Sequence, residues 1–244
     1  MARTLKFFLI FWIGLFISII FLIPYFILDL LQNKEVKRNY VHSLTSGWSK
    51  FTLFTAGIKV RVNGKENLPV NRSGYVLICN HESNFDIPVL MATLPFTPAF
   101  VAKAELMRFP FIRSWMKAME CLPIDRDNPR ESRRKIIRRI KDIGMNQIVL
   151  FPEGTRNRGK NMKEFKTGSL KLIFHNQLEI IPVSINGTHK AYEERNNIHP
   201  AEVLLNFHHV ILTSDYQPKD FQLFLDDLQK AISIGLNEDV KKNI

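Results

Sequence analysis

A chain of 244 residues, 45% hydrophobic and 23% charged, can bury one sizeable core, and with no fixed-period repeat and no Pro/Gly/Ser-rich linker it excludes a repeat array or a linker-divided chain. Its two cysteines, Cys79 and Cys121, sit in apolar runs and read as buried free thiols of a reducing compartment, without the basic, partly exposed surroundings that make a catalytic thiolate. The net charge of +11 is concentrated: residues 103–171 hold 18 Lys/Arg against 8 Asp/Glu, a field that favours phosphates, nucleic acid or an anionic membrane surface.

The N-terminus carries 22 uncharged residues, Phe7 to Leu28, enough to cross a hydrocarbon core of ~30 Å as a helix. Asp29, Lys34 and Glu35 follow it in place of a small-residue cleavage site, so a removed signal peptide fits poorly. Pro24 is expected to kink or end the helix. Lys/Arg flank both ends (Arg3 and Lys6 before, Lys34, Lys37 and Arg38 after), which gives the positive-inside rule little to orient and suits a segment that dips into one leaflet as well as a full span. A second helix is expected from Tyr40 to Gly57, with Val41, Leu44, Trp48 and Phe51 at 3-4-3 spacing, either facing the core or forming the return arm of a membrane hairpin.

After Gly57 the pattern alternates between strands and helices. Ile58–Val62, Tyr75–Cys79, Ala99–Ala102, Cys121–Ile124, Gln147–Phe151, Glu179–Ile185 and Val203–Phe207 read as strands. Helices are expected at Asp86–Ala92, with Asp86 its N-cap and Pro88 in its first turn, at Phe111–Met119, at Pro129–Ile143 with an Ile136/Ile137/Ile140/Ile143 stripe ended by Gly144, at Gly168–Asn176 and at Phe221–Leu236. The predicted architecture is α/β: a mixed, largely parallel sheet flanked by helices over residues 58–244, preceded by a membrane-associated helical hairpin over residues 1–57. In such sheets, sites gather at the carboxyl ends of strands, where His81, Arg126 and Glu153 fall.

His81 and Asp86 lie five positions apart in Asn80-His-Glu-Ser-Asn-Phe-Asp86. A neutral imidazole can take a proton on one ring nitrogen while a carboxylate fixes the other, which makes this spacing a candidate general base and its orienting partner. Read alone, the same residues fit a satisfied loop histidine and a helix cap. No Gly-x-Ser-x-Gly elbow exists in the chain, which disfavours a serine hydrolase and favours direct activation of a substrate hydroxyl. No second His/Cys/Asp cluster has metal-ligand spacing. Arg126 ends Pro-Ile-Asp-Arg and Arg156 ends Glu153-Gly154-Thr155-Arg156; arginine forks suit phosphate oxygens, and Gly154 lets backbone approach a ligand. Arg130, Arg133, Arg134, Lys135, Arg138, Arg139 and Lys141 read as a solvated helix face, one that can rest against anionic headgroups. Charge alone would also suit nucleic acid, but no nucleic-acid motif is present and the apolar N-terminus would be unexplained.

Four blocks in order, Asn80-His81-x4-Asp86, Leu122-Pro-Ile-Asp-Arg126, Phe151-Pro-Glu-Gly-Thr-Arg156 and Ile181-Pro-Val-Ser-Ile185, with Lys103-Ala-Glu-Leu106 and Phe165-Lys-x-Gly168, make residues 58–190 resemble the glycerolipid acyltransferase family, most closely its bacterial-type 1-acyl-glycerol-3-phosphate acyltransferases. Glu82 and Asn157 depart from that pattern, where Gln or Arg and Ser are commoner. The resemblance implies transfer of a fatty acyl group from acyl-CoA or acyl carrier protein to lysophosphatidic acid, with phosphatidic acid as product. It implies His81 as general base, Asp86 orienting it, and Arg126 and Arg156 on the phosphate with Glu153 and Gly154 shaping that pocket and Lys103 adding charge. It implies no cofactor, because the thioester is itself the activated co-substrate, no nucleic-acid partner, and a bilayer-associated protein with its catalytic domain on the cytoplasmic face. Acylation of another lysophospholipid or polar lipid, or a non-catalytic basic membrane-surface protein, are the competing expectations; the intact His81/Asp86 pair disfavours the last.

Overall fold

Strand β2, Tyr75–Cys79, is buried along all five residues, and its alternate side chains enter two different cores. Tyr75, Leu77 and Cys79 join one cluster and Val76 and Ile78 the other, as the two-residue period of a strand covered on both faces requires. The computed structural model describes residues 1–69, 74–125, 128–141 and 147–237. Its other strands are β1 Ile58–Asn63, β3 Ala99–Lys103, β4 Leu122–Ile124, β5 Ile148–Leu150, β6 Glu179–Asn186, β7 Ala201–Phe207 and the short β8 Ile211–Leu212. The sheet order is β1-β7-β6-β2-β5-β3-β4, with β8 beside β6. Pairing is parallel except at β6–β7 and β6–β8, so β6, β2, β5, β3 and β4 all point the same way and present their carboxyl ends on one edge.

Eight helices flank or precede this sheet among the described residues: α1 Ala2–Ile17, α2 Leu22–Leu30, α3 Lys34–Ala56, α4 Asp86–Thr93, α5 Pro110–Ala118, α6 Pro129–Lys141, α7 Thr167–His175 and α8 Phe221–Asn237. Residues of α1, α3 and α4 build the Leu77 side of the core, and residues of α6, α7 and α8 the Val76 side. The expected mixed, largely parallel sheet is thus present. Of the stripe on α6, Ile136 is buried; Ile143 and the predicted stop at Gly144 lie outside the described residues.

Two local expectations are corrected. Asp86 is the first residue of α4, not its cap, because its carboxylate turns back onto the preceding loop and the cap position falls to Phe85. On α3, the face buried against the domain is Val41, Thr45, Ser49, Thr52, Leu53 and Ala56, whereas Trp48 packs on Phe11 and Gly14 of α1 and Phe51 is 45% exposed. Of the predicted 3-4-3 stripe, Val41 therefore faces the core and Trp48 turns toward α1, and small polar residues share the core side, with Thr45 and Thr52 donating their hydroxyls to Val41 and Trp48 carbonyls one turn back.

One stretch, Ala2–Leu30, is long and apolar enough to cross a membrane, with a mean hydropathy of 2.7 and only 11% of its most apolar window buried. Pro24 does not end it. A Pro ring crowds the carbonyl four residues back, and Ser18–Phe21, which contains that residue, Ile20, tightens into a 3-10 turn before α2 resumes. The stretch touches the rest of the protein along its length: the Ile198 N–H donates to Thr4 Oγ1 at 2.9 Å, Phe7 packs on Phe85 at 5.7 Å between centroids, and Trp115 Nε1 donates to Ser18 Oγ at 2.8 Å. Its opposite side exposes Leu9, Trp12, Ile13, Phe16, Ile20 and Phe26.

Candidate active site

The site is built where β2 ends. Asn80 is fully buried, donating from Nδ2 to the Ile185 carbonyl at 2.9 Å and accepting the Ile185 N–H at 2.8 Å, so its amide continues the β2–β6 pairing one residue past the strand. That fixes where His81 leaves the sheet. His81 Nδ1 lies 2.7 Å from Asp86 Oδ2, the His side chain 19% exposed and the Asp fully buried. The chain between them makes the turn by donating the Glu82 and Ser83 N–H groups to the same Oδ2 at 2.8 and 3.0 Å, and Thr188 Oγ1 donates to Oδ1. Burial raises the Asp86 carboxyl, and the hydrogen bonds from His81, Thr188 and Ser83 oppose it. An acceptor at Nδ1 holds the ring proton there and leaves Nε2 as the basic nitrogen. The ring lies on Phe151, centroids 4.2 Å apart and planes within 24°, which sets its rotation.

The loop after β5 locks onto this turn. Glu153, 2% exposed, accepts the His81 N–H at 2.7 Å on Oε1 and the Lys163 N–H at 2.9 Å on Oε2, with Asn157 Nδ2 at 3.4 and 3.3 Å. The Asn157 and Arg158 N–H groups return to the His81 and Glu82 carbonyls at 2.7 and 3.2 Å. Burial raises the Glu153 carboxyl, opposed by these donors. Gly154 turns the chain at φ +68, with the Lys166 stem 3.1 Å from where a Cβ would stand. Arg156 pairs with Glu193 at 3.1 Å, and Glu193 also accepts the Ser83 hydroxyl at 2.6 Å and the Asn84 N–H at 3.0 Å.

The structure thus brings His81, Asp86, Glu153, Gly154 and Arg156 into one assembly. Lys103 stands exposed at the carboxyl end of β3, two strands from β2 on the same sheet edge, in register with Ile124. Arg126, two residues past Ile124, lies outside the described residues. Sequence reasoning missed Thr188, His189 and Glu193, which reach the site from the turn after β6; the one signal available was that β6 also ends on this edge. Cys79 is free and buried, its thiol held well above the ordinary range by burial and then by Asp86, Glu153 and Glu82, and burial pushes the Cys121 thiol up to about 11, so neither supplies a thiolate.

Residues 59–186 match the family model described as Acyltransferase. A Borreliella burgdorferi protein, 1-acyl-sn-glycerol-3-phosphate acyltransferase, is 31% identical over 144 residues, covering 59% of this chain and 57% of that one. A Mycoplasma genitalium protein, "Probable 1-acyl-sn-glycerol-3-phosphate acyltransferase", is 30% identical over 224 residues, covering 80% and 76%. The chain therefore spans well under two thirds of the Borreliella protein's length but three quarters of the Mycoplasma one's. The fold matches the crystal structure of the 1-acyl-sn-glycerophosphate (LPA) acyltransferase, PlsC, from Thermotoga maritima, with a TM-score of 0.83 at 24% identity over 100% of this chain and 97% of that one.

Proposed function

We propose that this chain, which belongs to the acyltransferase family, transfers a fatty acyl group from an acyl thioester to the free hydroxyl of 1-acyl-glycerol-3-phosphate, giving phosphatidic acid. The observation that carries the reading is the His81–Asp86 pair at the end of β2, with Nδ1 committed to a buried carboxylate. Nε2 takes the hydroxyl proton as the glycerol oxygen attacks the thioester carbonyl. The tetrahedral intermediate collapses to the ester, the sulfur leaves, and the imidazolium returns the proton to it. Asp86 stays ionised through the cycle and steadies the imidazolium; such a base contributes ~10²–10⁴-fold. No covalent acyl-enzyme and no cofactor are needed, because the thioester carries the activation.

Arg156, Arg126 and Lys103 hold the phosphate, and the Glu153–Gly154 turn sets the backbone of that pocket. Arg156 is supported in this role by its tie through Glu193 to the His81 loop, which keeps the anion site a fixed distance from the base. The acyl donor is acyl-CoA or acyl carrier protein.

Residues 1–57 seat the enzyme as a helical hairpin in one leaflet, and residues 58–244 form the catalytic unit on the cytoplasmic face. The support is that Ala2–Leu30 lies along the protein, gripped at Thr4, Phe7 and Ser18, while an outer face that includes Leu9, Trp12, Ile13, Phe16, Ile20 and Phe26 is left for lipid. Purified full-length protein in vesicles, given lysophosphatidic acid and a panel of acyl thioesters, should release free thiol and form phosphatidic acid. Acylation of uncharged or choline-bearing acceptors at equal rates would overturn the phosphate assignment, and no transfer to any acceptor would overturn the reaction.

A further inference from the structure

Glu82 and His189 form a second histidine–carboxylate pair beside the first. Glu82 is 6% exposed, and its Oε2 accepts the Gly187 N–H at 2.9 Å and lies 3.0 Å from His189 Nδ1. Thr188, fully buried, stands between the two pairs, its hydroxyl bonded to Asp86 Oδ1 and 3.2 Å from Glu82 Oε2. A hydroxyl carries one proton, so the shorter contact to Asp86 takes it. His189 is pressed onto the β5 loop as well: Gly159, at φ +77, lies so close that a Cβ there would come 2.2 Å from the imidazole Cδ2. The loops after β2, β5 and β6 therefore meet around one polar chain, His81–Asp86–Thr188–Glu82–His189. The other titratable groups facing it are Glu153 from the β5 loop, Lys190 and Glu194 from the turn after β6, and Cys79 at the end of β2.

We propose that Thr188 is a positioning residue for the His81–Asp86 base, and that the Glu82–His189 pair, through the Gly187 N–H that Glu82 accepts, anchors the backbone that holds Thr188 on Asp86 and sets the charge behind it. Two buried carboxylates joined by one hydroxyl repel each other. Charge on His189 cancels that repulsion locally and lets Asp86 stay ionised at full strength toward His81. This rests on the acyl-transfer reading above, but part of its test does not need turnover.

The test compares wild type with Thr188→Val, which keeps the volume and removes the hydroxyl, Thr188→Ser, which restores it, and Glu82→Gln, which removes charge and keeps acceptors. The ring protons of His81, assigned through His81→Ala, are followed by NMR against pH in detergent, and kcat and KM are measured on lysophosphatidic acid. Losing the Thr188 donor concentrates negative charge on Asp86, so in Thr188→Val the His81–Asp86 pair should charge at higher pH, and the acid limb of the rate profile should move up with it. Losing the Glu82 charge should move both the opposite way. Kcat should fall about tenfold or more in Thr188→Val with the acceptor KM unchanged, and recover in Thr188→Ser. Titrations that coincide in all three variants overturn the inference even if the enzyme is active. Opposed shifts in an enzyme that transfers nothing to lysophosphatidic acid would support the inference and sink the substrate reading instead. If Thr188→Val fails to fold, the Glu82→Gln shift decides alone, and a midpoint unchanged or raised there overturns the proposal.

Discussion

Arg156 Nη1 donates to Glu193 Oε1 at 3.1 Å, and that same oxygen accepts the Asn84 N–H at 3.0 Å. The cation proposed to hold the phosphate and the loop that carries the proposed base are thus tied to one carboxylate, itself 4% exposed at the side chain. Replacing Arg156 with Ala should raise the KM for the phosphate-bearing acceptor ~10- to 150-fold, the worth of one charged hydrogen bond of ~1.5–3 kcal/mol, and leave the thioester KM nearly unchanged. It should also lower the melting temperature, because Glu193 is left as a buried charge without its cation. Arg156→Lys should recover the melting temperature better than the acceptor KM, since an ammonium keeps the charge and loses the fork. An equal rise in KM for both substrates would remove Arg156 from the phosphate.

His81→Ala should abolish transfer, by at least ~10²–10⁴-fold, while folding and membrane binding persist, because the side chain is partly exposed and stacks on Phe151 at the rim of the sheet. Asp86→Asn separates activity from stability. Burial raises the Asp86 carboxyl above its ordinary range, so its contribution to stability is full when protonated, below the unfolded value, and is lost as pH rises through the folded midpoint. At neutral pH the ionised group therefore costs stability. An Asn can keep its oxygen toward His81, Glu82 and Ser83 and its nitrogen toward Thr188, so Asp86→Asn should be as stable as wild type or more so at pH 7, yet severely impaired in transfer. A variant that loses stability and activity together would mean that the charge serves the fold.

Most strand positions were legible in the sequence because short apolar runs ended by polar residues leave few alternatives in an α/β chain, and β2, β5 and β6 fall within a residue or two of the expected ranges. His81, Asp86 and Glu153 were legible as a set because they follow strand-like runs. Their partners were not: Thr188 and Glu193 lie 102 and 110 residues from Asp86 and Ser83, and only the β2–β6 pairing brings them near. The carboxylate of Glu153 also accepts from His81, Asn157 and Lys163, a bracing role that a lone acidic residue in a turn cannot announce. Glu82, the departure from the family pattern, has an acceptor's work to do at Gly187 and His189. On α3 the stripe splits, Val41 to the core and Phe51 outward, because helical spacing locates a stripe without saying which neighbour each residue meets.

The His189–Glu82 pair gives stability a pH dependence of the opposite kind to a salt-bridged carboxylate. Donating Nδ1–H to the Glu82 carboxylate raises the His189 imidazole, with burial opposing. A raised imidazole contributes stability that is fully present below its unfolded value of ~6.5 and is lost as pH rises through the folded midpoint. Melting temperatures of wild type and His189→Gln, taken from about pH 5.5 to 8.5, should differ most at the acid end and converge at the alkaline end. A difference that stays constant across the range would mean that His189 contributes by packing on Gly159 and not by charge.

The seating of the N-terminus is testable on intact cells. Full-length protein carrying Ala2→Cys or Val36→Cys, with Cys79 and Cys121 replaced by Ala, is probed with an impermeant thiol reagent before and after lysis. The expected result is that both positions label only after lysis, because the Ile198 N–H donates to Thr4 Oγ1 at 2.9 Å, which keeps the first end on the domain, and Lys37 pairs with Asp29 at 2.6 Å, which keeps the second end folded against α3. Labelling of position 2 alone from outside means that Ala2–Leu30 crosses the bilayer, and it refutes the hairpin. Changing the outward residues Trp12, Ile13, Phe16 and Ile20 to Ser should release the protein from vesicles, since these side chains are 49–63% exposed and each forfeits roughly 1–2 kcal/mol of apolar burial in lipid. Activity on a short-chain, water-soluble acceptor should survive that change. Deleting residues 1–35 should not be so selective, because it also strips Phe7 from Phe85, the residue before Asp86, and so should slow transfer even to the soluble acceptor.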